Sequence, residues 1–331
     1  MNIYKLKQIK RAYKYNIVLN EIDLELKTGR IYALVGENGS GKTTLLETLA
    51  LIEPPQAGTL YFKDQQVNFG AGLSALRRQI SFCLQQPLLF RTSVYNNIAF
   101  GLRSRGEKNF AEKINKVSSL FGVSHLLNKR AAFLSGGESQ KVALARTFVL
   151  ETPIVLLDEP AANLDEASID ELNKLLSLAR DKGTTIIFAS HRLDSAYRLA
   201  DEVITIQDGK VYAQSHQNFF SGRIVQQNDL KTFEINDQAA FVLATDKIGQ
   251  AKVSIDPKEI IISKEPFRSS ARNCLKGKVS SIIDEGSMVK VTADCGIKLV
   301  SQITLRSLDE LGINVGQQVY LTFKTSSIKV Y

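Results

Sequence analysis

The stretch IYALVGENGSGKTTLLETLA, residues 31 to 50, leaves little freedom in how the chain folds around it. Five apolar residues, then Gly36-x4-Gly41-Lys42-Thr43, then an apolar helix-forming run read as buried strand, glycine-rich turn and helix. Such a turn aims consecutive backbone N–H groups and a helix N-terminus at one point, which suits a polyphosphate. Lys42 is placed for the β and γ phosphates and the Thr43 hydroxyl for a magnesium ion. Asn38, Gly39, Ser40 and Thr44 complete the turn.

Downstream, ISFCL at 80 to 84 reads as a strand, and SVYNNIAFGLR (93 to 103) and NFAEKINKVSSLFG (109 to 122) as helices. IVLLD and TTIIFAS carry parallel-strand signals, separated by the amphipathic EASIDELNKLLSLARDKG. The first two thirds are therefore expected to be α/β with a helical insertion. Asp158 and Glu159 end one strand at the C-terminal edge of that sheet, where ligands bind in such folds. Asp158 is expected in the magnesium shell, and Glu159 is expected to activate a water in line with the γ phosphate. His191 and Gln85 emerge at the same edge, His191 toward the γ phosphate or the water, Gln85 toward metal or water. Taken singly, a carboxylate pair, a His or a Gln after a strand is more often structural; the phosphate loop reverses that weighting.

LSGGE at 134 to 138 places Ser135, Gly136 and Gly137 at another helix start. That turn either caps its own helix or offers N–H groups to a phosphate, although the first loop already accommodates one triphosphate.

From about residue 216 the pattern changes to short alternating runs such as KTFEI, KVSI, MVKVTAD and QVYLTFK, broken by Gly, Asp and Asn. NFFSGRIV (218 to 225) and NCLKGKVS (273 to 280) share N-x-x-x-G-[RK]-[IV], an echo of two related β units as readily as of chance. SSARN at 269 to 273 gathers two hydroxyls, a guanidinium and an amide without a carboxylate, a composition that suits an anion. At 331 residues and 44% hydrophobic content, two or three domains are expected. No apolar run is long enough to cross a bilayer, and the N-terminus lacks the apolar core of a signal peptide. Cys83, Cys274 and Cys295 have no CxxC spacing and are expected to be buried thiols. The net charge of +8 admits nucleic acid, anionic lipid or anionic ligands, but the basic residues are scattered.

Taken in order, GENGSGKTT, the Gln85 loop, LSGGE, IVLLDEP, AANLD and the His191 loop resemble the nucleotide-binding subunit of ABC transporters. The resemblance covers residues 1 to about 215 and implies a P-loop ABC ATPase domain with a helical subdomain at about 88–150. It further implies that LSGGE binds ATP held by a second copy in a homodimer, that Tyr13 (or Tyr15) stacks on adenine, and that Asp165 communicates across the dimer. Gln85 with PLLFRTSVYNNIAFGL would face transmembrane permease subunits, with Leu88, Leu89, Phe90 and Tyr95 as docking residues. Glu138 and Lys141 depart from the common LSGGQ and following Arg, without removing a phosphate-binding group.

The tail, residues 216–331, resembles the small all-β, OB-like barrel of importer ATPases (TOBE), and more narrowly the molybdate- and tungstate-binding modules of molbindin (Mop) type. SARNCLKGKV, LVSQITLRSLDELGI and VYLTFKTSS carry that likeness, with sugar and polyamine importer tails as close competitors. The combined expectation is the ATPase of an importer for tungstate or molybdate, using ATP and Mg2+ at the cytoplasmic face of the membrane. An extracytoplasmic oxyanion-binding protein would supply the substrate, and nucleic acid is not expected as a partner. Ser270, Arg272, Thr304, Ser307, Lys324 and Thr325 are expected to bind a regulatory oxyanion where two tails meet. Rival readings are an importer ATPase for sugar, polyamine or sulfate, a soluble ABC ATPase acting on nucleic acid, and a purely regulatory oxyanion-binding protein.

Overall fold

The computed structural model describes residues 1–331 except Tyr15, Ala71, Arg192, 214–217, 228–229, 237–238, 285 and 287; for 193–195, 212–213 and 227 the backbone alone is described. The chain divides into two compact units, Met1–Gln214 and Ser215–Tyr331.

The first unit opens with two long antiparallel strands, β1 (Asn2–Tyr13) and β2 (Asn16–Lys27). β3 (Ile31–Val35) leads into helix α1 (Lys42–Leu49), followed by β4 (Ala57–Phe62), β5 (Gln65–Gln66), α2 (Leu73–Arg77) and β6 (Ile80–Cys83). The helical segment holds α3 (Val94–Ser104), α4 (Ala111–Leu120) and α5 (Gly136–Phe148). Then come β7 (Ile154–Asp158), α6 (Glu166–Asp181), β8 (Thr185–Ser190), α7 (Leu193–Leu199), β9 (Glu202–Gln207) and β10 (Lys210–Ala213). β3, β7 and β8 are buried at every position, the signature of parallel strands covered on both faces. They lie in a six-stranded sheet of order β10-β9-β3-β8-β7-β6, parallel except at β10. A four-stranded antiparallel sheet, β2-β1-β4-β5, shares its core: Leu45, Leu46 and Leu49 of α1 cluster with Tyr4 and Leu6 of one sheet and Leu34 and Leu156 of the other.

The register of the parallel strands places Val35 beside Ser190 and Asp158 beside Ala189, with Cys83 beside Leu157. The chain therefore leaves β3, β6, β7 and β8 at one edge, and the phosphate loop, Gln85, Asp158, Glu159 and His191 lie at or just past those four strand ends.

The second unit contains β11 (Asn218–Gln227), β12 (Leu230–Asn236), β13 (Ala239–Leu243), β14 (Gly249–Ile255) and β15 (Ile261–Ser263). They are followed by β16 (Asn273–Asp284), β17 (Met288–Asp294), β18 (Lys298–Thr304), α8 (Leu305–Leu311), β19 (Gln318–Phe323) and β20 (Ile328–Val330). Two five-stranded sheets result, β13-β12-β11-β14-β20 and β15-β19-β16-β17-β18. Each half of the sequence builds four strands of one sheet and sends its last strand to the other. A 3-10 turn precedes each exchanged strand, at Pro257–Glu259 and Thr325–Ser327. The echo seen in the sequence is thus structural. Asn218 exchanges hydrogen bonds with the backbone N–H and C=O of Val300, and Asn273 does the same with Val242. Both amides are nearly fully buried, and a β-carbon on Gly222 or Gly277 would strike the neighbouring strand at Glu234 or Asp294. Phe233, Phe241 and Phe323 lie in one core that joins the sheets, Phe323 meeting Phe241 edge-on at 5.2 Å. α8, a helix within an otherwise β unit, was not expected.

Candidate functional site

The phosphate loop forms as expected between β3 and α1. Gly41 sits at the helix N-terminus with φ +107, where a side chain would be strained and its β-carbon would lie 2.7 Å from the Val18 carbonyl. Lys42 is 7% exposed, and its Nζ donates to the carbonyls of Gly36 and Glu37, both at 2.9 Å. The Thr43 hydroxyl donates to Asp158 Oδ2 at 2.7 Å. Lys42 is thus held over the loop by oxygen acceptors, and the Thr43 hydroxyl is held against the Asp158 carboxylate. Ser40 Oγ is buried with no hydrogen-bond partner, an orphan that a phosphate oxygen would satisfy. Thr43 and Asp158, brought together here, and the Gln85 amide each offer an oxygen of the kind that suits magnesium.

Asp158 is 2% exposed at the end of β7. Burial pushes its carboxyl above the ordinary carboxylate range; the Thr43 bond and the Lys42 charge pull the other way, while the charge of Glu159 adds to the rise. Glu159 adopts φ +47, a left-handed conformation rare for a residue bearing a β-carbon. Its N–H donates to Ala189 O at 3.2 Å, and its Oε2 lies 2.9 Å from His191 Nδ1. His191 is the more open of the pair, with side-chain exposure of 59% against 9% for Glu159. Gln85 is exposed, two residues beyond β6.

Ser135 caps α5 through a reciprocal pair: its Oγ accepts from Glu138 N–H at 3.2 Å, and Glu138 Oε2 accepts from Ser135 N–H at 2.7 Å. The acidic departure at Glu138 is therefore part of the cap. Asp165 caps α6, accepting from Ser168 N–H at 2.8 Å. Tyr13, 42% exposed at the tip of the β1–β2 hairpin, lies over the Arg11 guanidinium at 5.0 Å. Tyr15, the alternative to Tyr13, lies outside the described residues.

Of the expected docking residues, Leu88 and Phe90 are exposed, while Leu89 and Tyr95 are half-buried. Phe100, within the segment expected to face the permease but not singled out there, is half exposed and meets Phe90 in a tilted ring contact at 4.5 Å. Its signal was available: it sits on α3 away from the buried stripe of Val94, Ile98 and Leu102. Asn97 holds this segment by accepting from Phe90 N–H and donating to its carbonyl.

The six residues expected to hold an oxyanion form two groups within one chain. Ser270 and Arg272 precede β16 and lie beside Lys324 and Thr325, since Asn273 pairs with Phe323. Thr304 and Ser307 instead cap α8, with their hydroxyls 2.8 Å apart, and Thr304 pairs with Met288 at the far end of the β16–β17 hairpin. About eleven residues of strand, on the order of 35 Å of extended backbone, separate the groups along β16. The expectation that all three cysteines are buried also fails: Cys274 is exposed, while Cys83 and Cys295 are buried, their thiols pushed up by burial to about 11 and about 12. Among the described residues no helix is long and apolar enough to cross a membrane.

Residues 19–162 match the ABC transporter family and residues 269–330 the TOBE domain. The chain is 34% identical to the molybdate/tungstate import ATP-binding protein WtpC of Pyrococcus horikoshii, with 99% of each chain covered. It is 30% identical to the molybdenum import ATP-binding protein ModC of Pectobacterium atrosepticum, over 93% of this chain and 95% of that one. Among solved structures, a dimeric ATP-binding cassette in a post-hydrolysis state, bound to ADP and Pi, shares 27% identity at a TM-score of 0.61, covering 64% of this chain and 97% of that one. The strand edge built around Lys42, Thr43 and Asp158 and the capped turn at Ser135 are thus those of a known ATPase architecture, and the chain belongs to the ABC transporter family as an ATP-binding subunit with a C-terminal TOBE domain.

Proposed function

We propose that the chain is the ATP-hydrolysing subunit of an importer for molybdate or tungstate, working as a homodimer on membrane permease subunits that an extracytoplasmic oxyanion-binding protein supplies. The observation that carries the substrate is the similarity to WtpC over nearly the whole of both chains, tail included. Nucleic acid is not invoked: Lys42 and Arg11 are engaged by protein oxygens, and the other basic residues are scattered along the sequence.

In this reading Lys42, Ser40 and the loop N–H groups hold the phosphates, and Tyr13 receives the adenine on the face away from Arg11. Thr43, Asp158 and Gln85 would hold magnesium, which when bound offsets phosphate charge. Glu159 orients and deprotonates the attacking water. His191 donates from Nδ1 to Glu159, which leaves Nε2 to accept a hydrogen bond from solvent or the water. Ser135, Gly136 and Gly137 serve the nucleotide of the second copy, and Asp165, at the start of α6, lies on the route between the two sites. The exposed Leu88, Phe90 and Phe100 form the apolar face offered to the permease. Ser270 and Arg272 with Lys324 and Thr325 supply donors for a regulatory oxyanion in the tail, and Thr304 and Ser307 of a second copy complete the set.

Uptake of tungstate, molybdate and sulfate by cells with and without the intact chain tests the proposal. Loss of tungstate and molybdate uptake, restored by the chain but not by Lys42→Ala, is expected. Loss of sulfate uptake alone would overturn the substrate, and recovery of the chain on nucleic acid without a membrane protein would overturn the transport role.

A further inference from the structure

Helix α5 carries the Ser135–Gly137 turn at its start and buries Gln140 completely in its second turn. Gln140 Nε2 donates to the Pro160 carbonyl at 3.3 Å, and its Oε1, also buried, has no partner. A buried amide with half its capacity unmet is costly, and an apolar side chain of the same size would fill the space without that cost. What the amide adds is one bond to the backbone, at a particular peptide.

That carbonyl belongs to Pro160, the residue after Glu159, and Glu159 is held in the left-handed region at φ +47. Such a conformation persists only where its surroundings enforce it. Glu159 N–H is tied to Ala189 O of β8, and Glu159 O accepts from Ala162 N–H at 3.0 Å. Gln140 secures the next carbonyl along. The same helix rests on the following turn at Gly137, where a β-carbon would approach Asn163 O to 3.0 Å. The first two turns of α5 and the segment 159–163 therefore keep a fixed register.

We infer that Gln140 is a positioning residue for ATP hydrolysis: it holds the carbonyl of Pro160, the residue after Glu159, so that the carboxylate faces the attacking water, and it locks that segment to the helix bearing the Ser135–Gly137 turn. The inference rests on the reading of Glu159 as the base. A shift of α5, whose turn serves the second copy's nucleotide in that reading, would carry the backbone next to the base with it.

A double-mutant cycle on the full chain tests this, with Gln140→Met, which keeps the shape and removes the bond, Glu159→Gln, and the two combined. ATP turnover is measured as kcat and KM with magnesium, alongside the affinity for a fluorescent ATP analogue and the thermal midpoint. Gln140→Met is expected to lower kcat about tenfold with KM and nucleotide affinity within about twofold. In the Glu159→Gln background the same change is expected to alter residual kcat less than about twofold. Equal losses in the two backgrounds, a loss confined to KM, or an unchanged kcat would overturn the inference. Near-parental turnover by Glu159→Gln alone would instead remove the base on which it rests. If Gln140→Met does not fold, Gln140→Asn, whose amide falls short by one methylene, replaces it under the same criteria.

Discussion

His191 Nδ1 and Glu159 Oε2 lie 2.9 Å apart, joining the end of β8 to the residue after β7 across the sheet edge. In the proposed mechanism this carboxylate, beside a buried Asp158, takes a proton from water on its other oxygen. Glu159→Gln is expected to keep ATP binding and to lower turnover by about a hundredfold or more, because the amide keeps the shape and loses the basicity. Phosphate release assays with size-exclusion chromatography check both halves, and the variant should persist as an ATP-bound dimer.

Asp158 carries a desolvation penalty that a metal ligand at this position would require. Burial raises its pKa in the folded state, so the folded chain holds this proton at pH values where the unfolded chain has released it. Its contribution to stability is therefore most favourable below the unfolded value, near 4, and declines as pH rises toward the elevated folded value. Asp158→Asn should escape that decline, still accept the Thr43 hydrogen bond, and melt higher at neutral pH. About 2–4 °C per kcal/mol is the scale for a unit of this size. Magnesium-dependent hydrolysis should be lost at the same time. Calorimetry between pH 4 and pH 7 reads the first effect, and a variant that melts lower at pH 7 would contradict it.

Glu138 is expected to tolerate Gln and not Ala. Its carboxylate is held below the ordinary range chiefly by the Ser135 N–H, so its contribution is present above the unfolded value and lost as pH falls through the lowered folded one. Glu138→Gln keeps an oxygen for the same N–H and should hydrolyse ATP within about threefold of the parent, without that acid dependence. Glu138→Ala leaves the N–H unpaired and should raise KM for ATP through a frayed turn. Steady-state kinetics at pH 7.5 separate Glu138→Gln from Glu138→Ala, and thermal melting followed from pH 6 down to pH 3 reads the acid dependence of the parent.

In the tail, Arg272→Ala and Lys324→Ala are each expected to weaken tungstate and molybdate binding by the full chain at least about tenfold, since charge-assisted donors dominate such a site. Isothermal titration with tungstate, molybdate, sulfate and phosphate checks this with ATPase activity as a control. Absence of heat from the parent with every anion would remove the regulatory role and leave the nucleotide site untouched.

The placement of the phosphate loop, Gln85, Asp158, Glu159 and His191 was legible because each lies at or just past the end of a short apolar strand, and β7 spans the residues 154–158 read from the sequence. What escaped depends on contacts remote in sequence. Gln140 looks like one more polar residue of a helix until Pro160, twenty positions on, is seen to accept from it. The helical reading of 109 to 122 ran past the observed Ala111–Leu120 because Phe110 and Phe121 pack at the ends without continuing the helix. β1 and β2 were unread, their alternation broken by register shifts near Gln8 and Arg11. The Asn-Gly echo pointed correctly to two β units, but a pattern within each half carries no information about strands that cross between them.

The crossing of β15 and β20 sets an order of events during synthesis. β14 ends at Ile255 and waits for β20, about seventy residues further on, while β15 waits for β19. At ~5–20 residues per second, a ribosome leaves those edges unpaired for several seconds. Open strand edges invite pairing with other chains, so this interval is when a nascent tail is most exposed to misassembly and most in need of a chaperone.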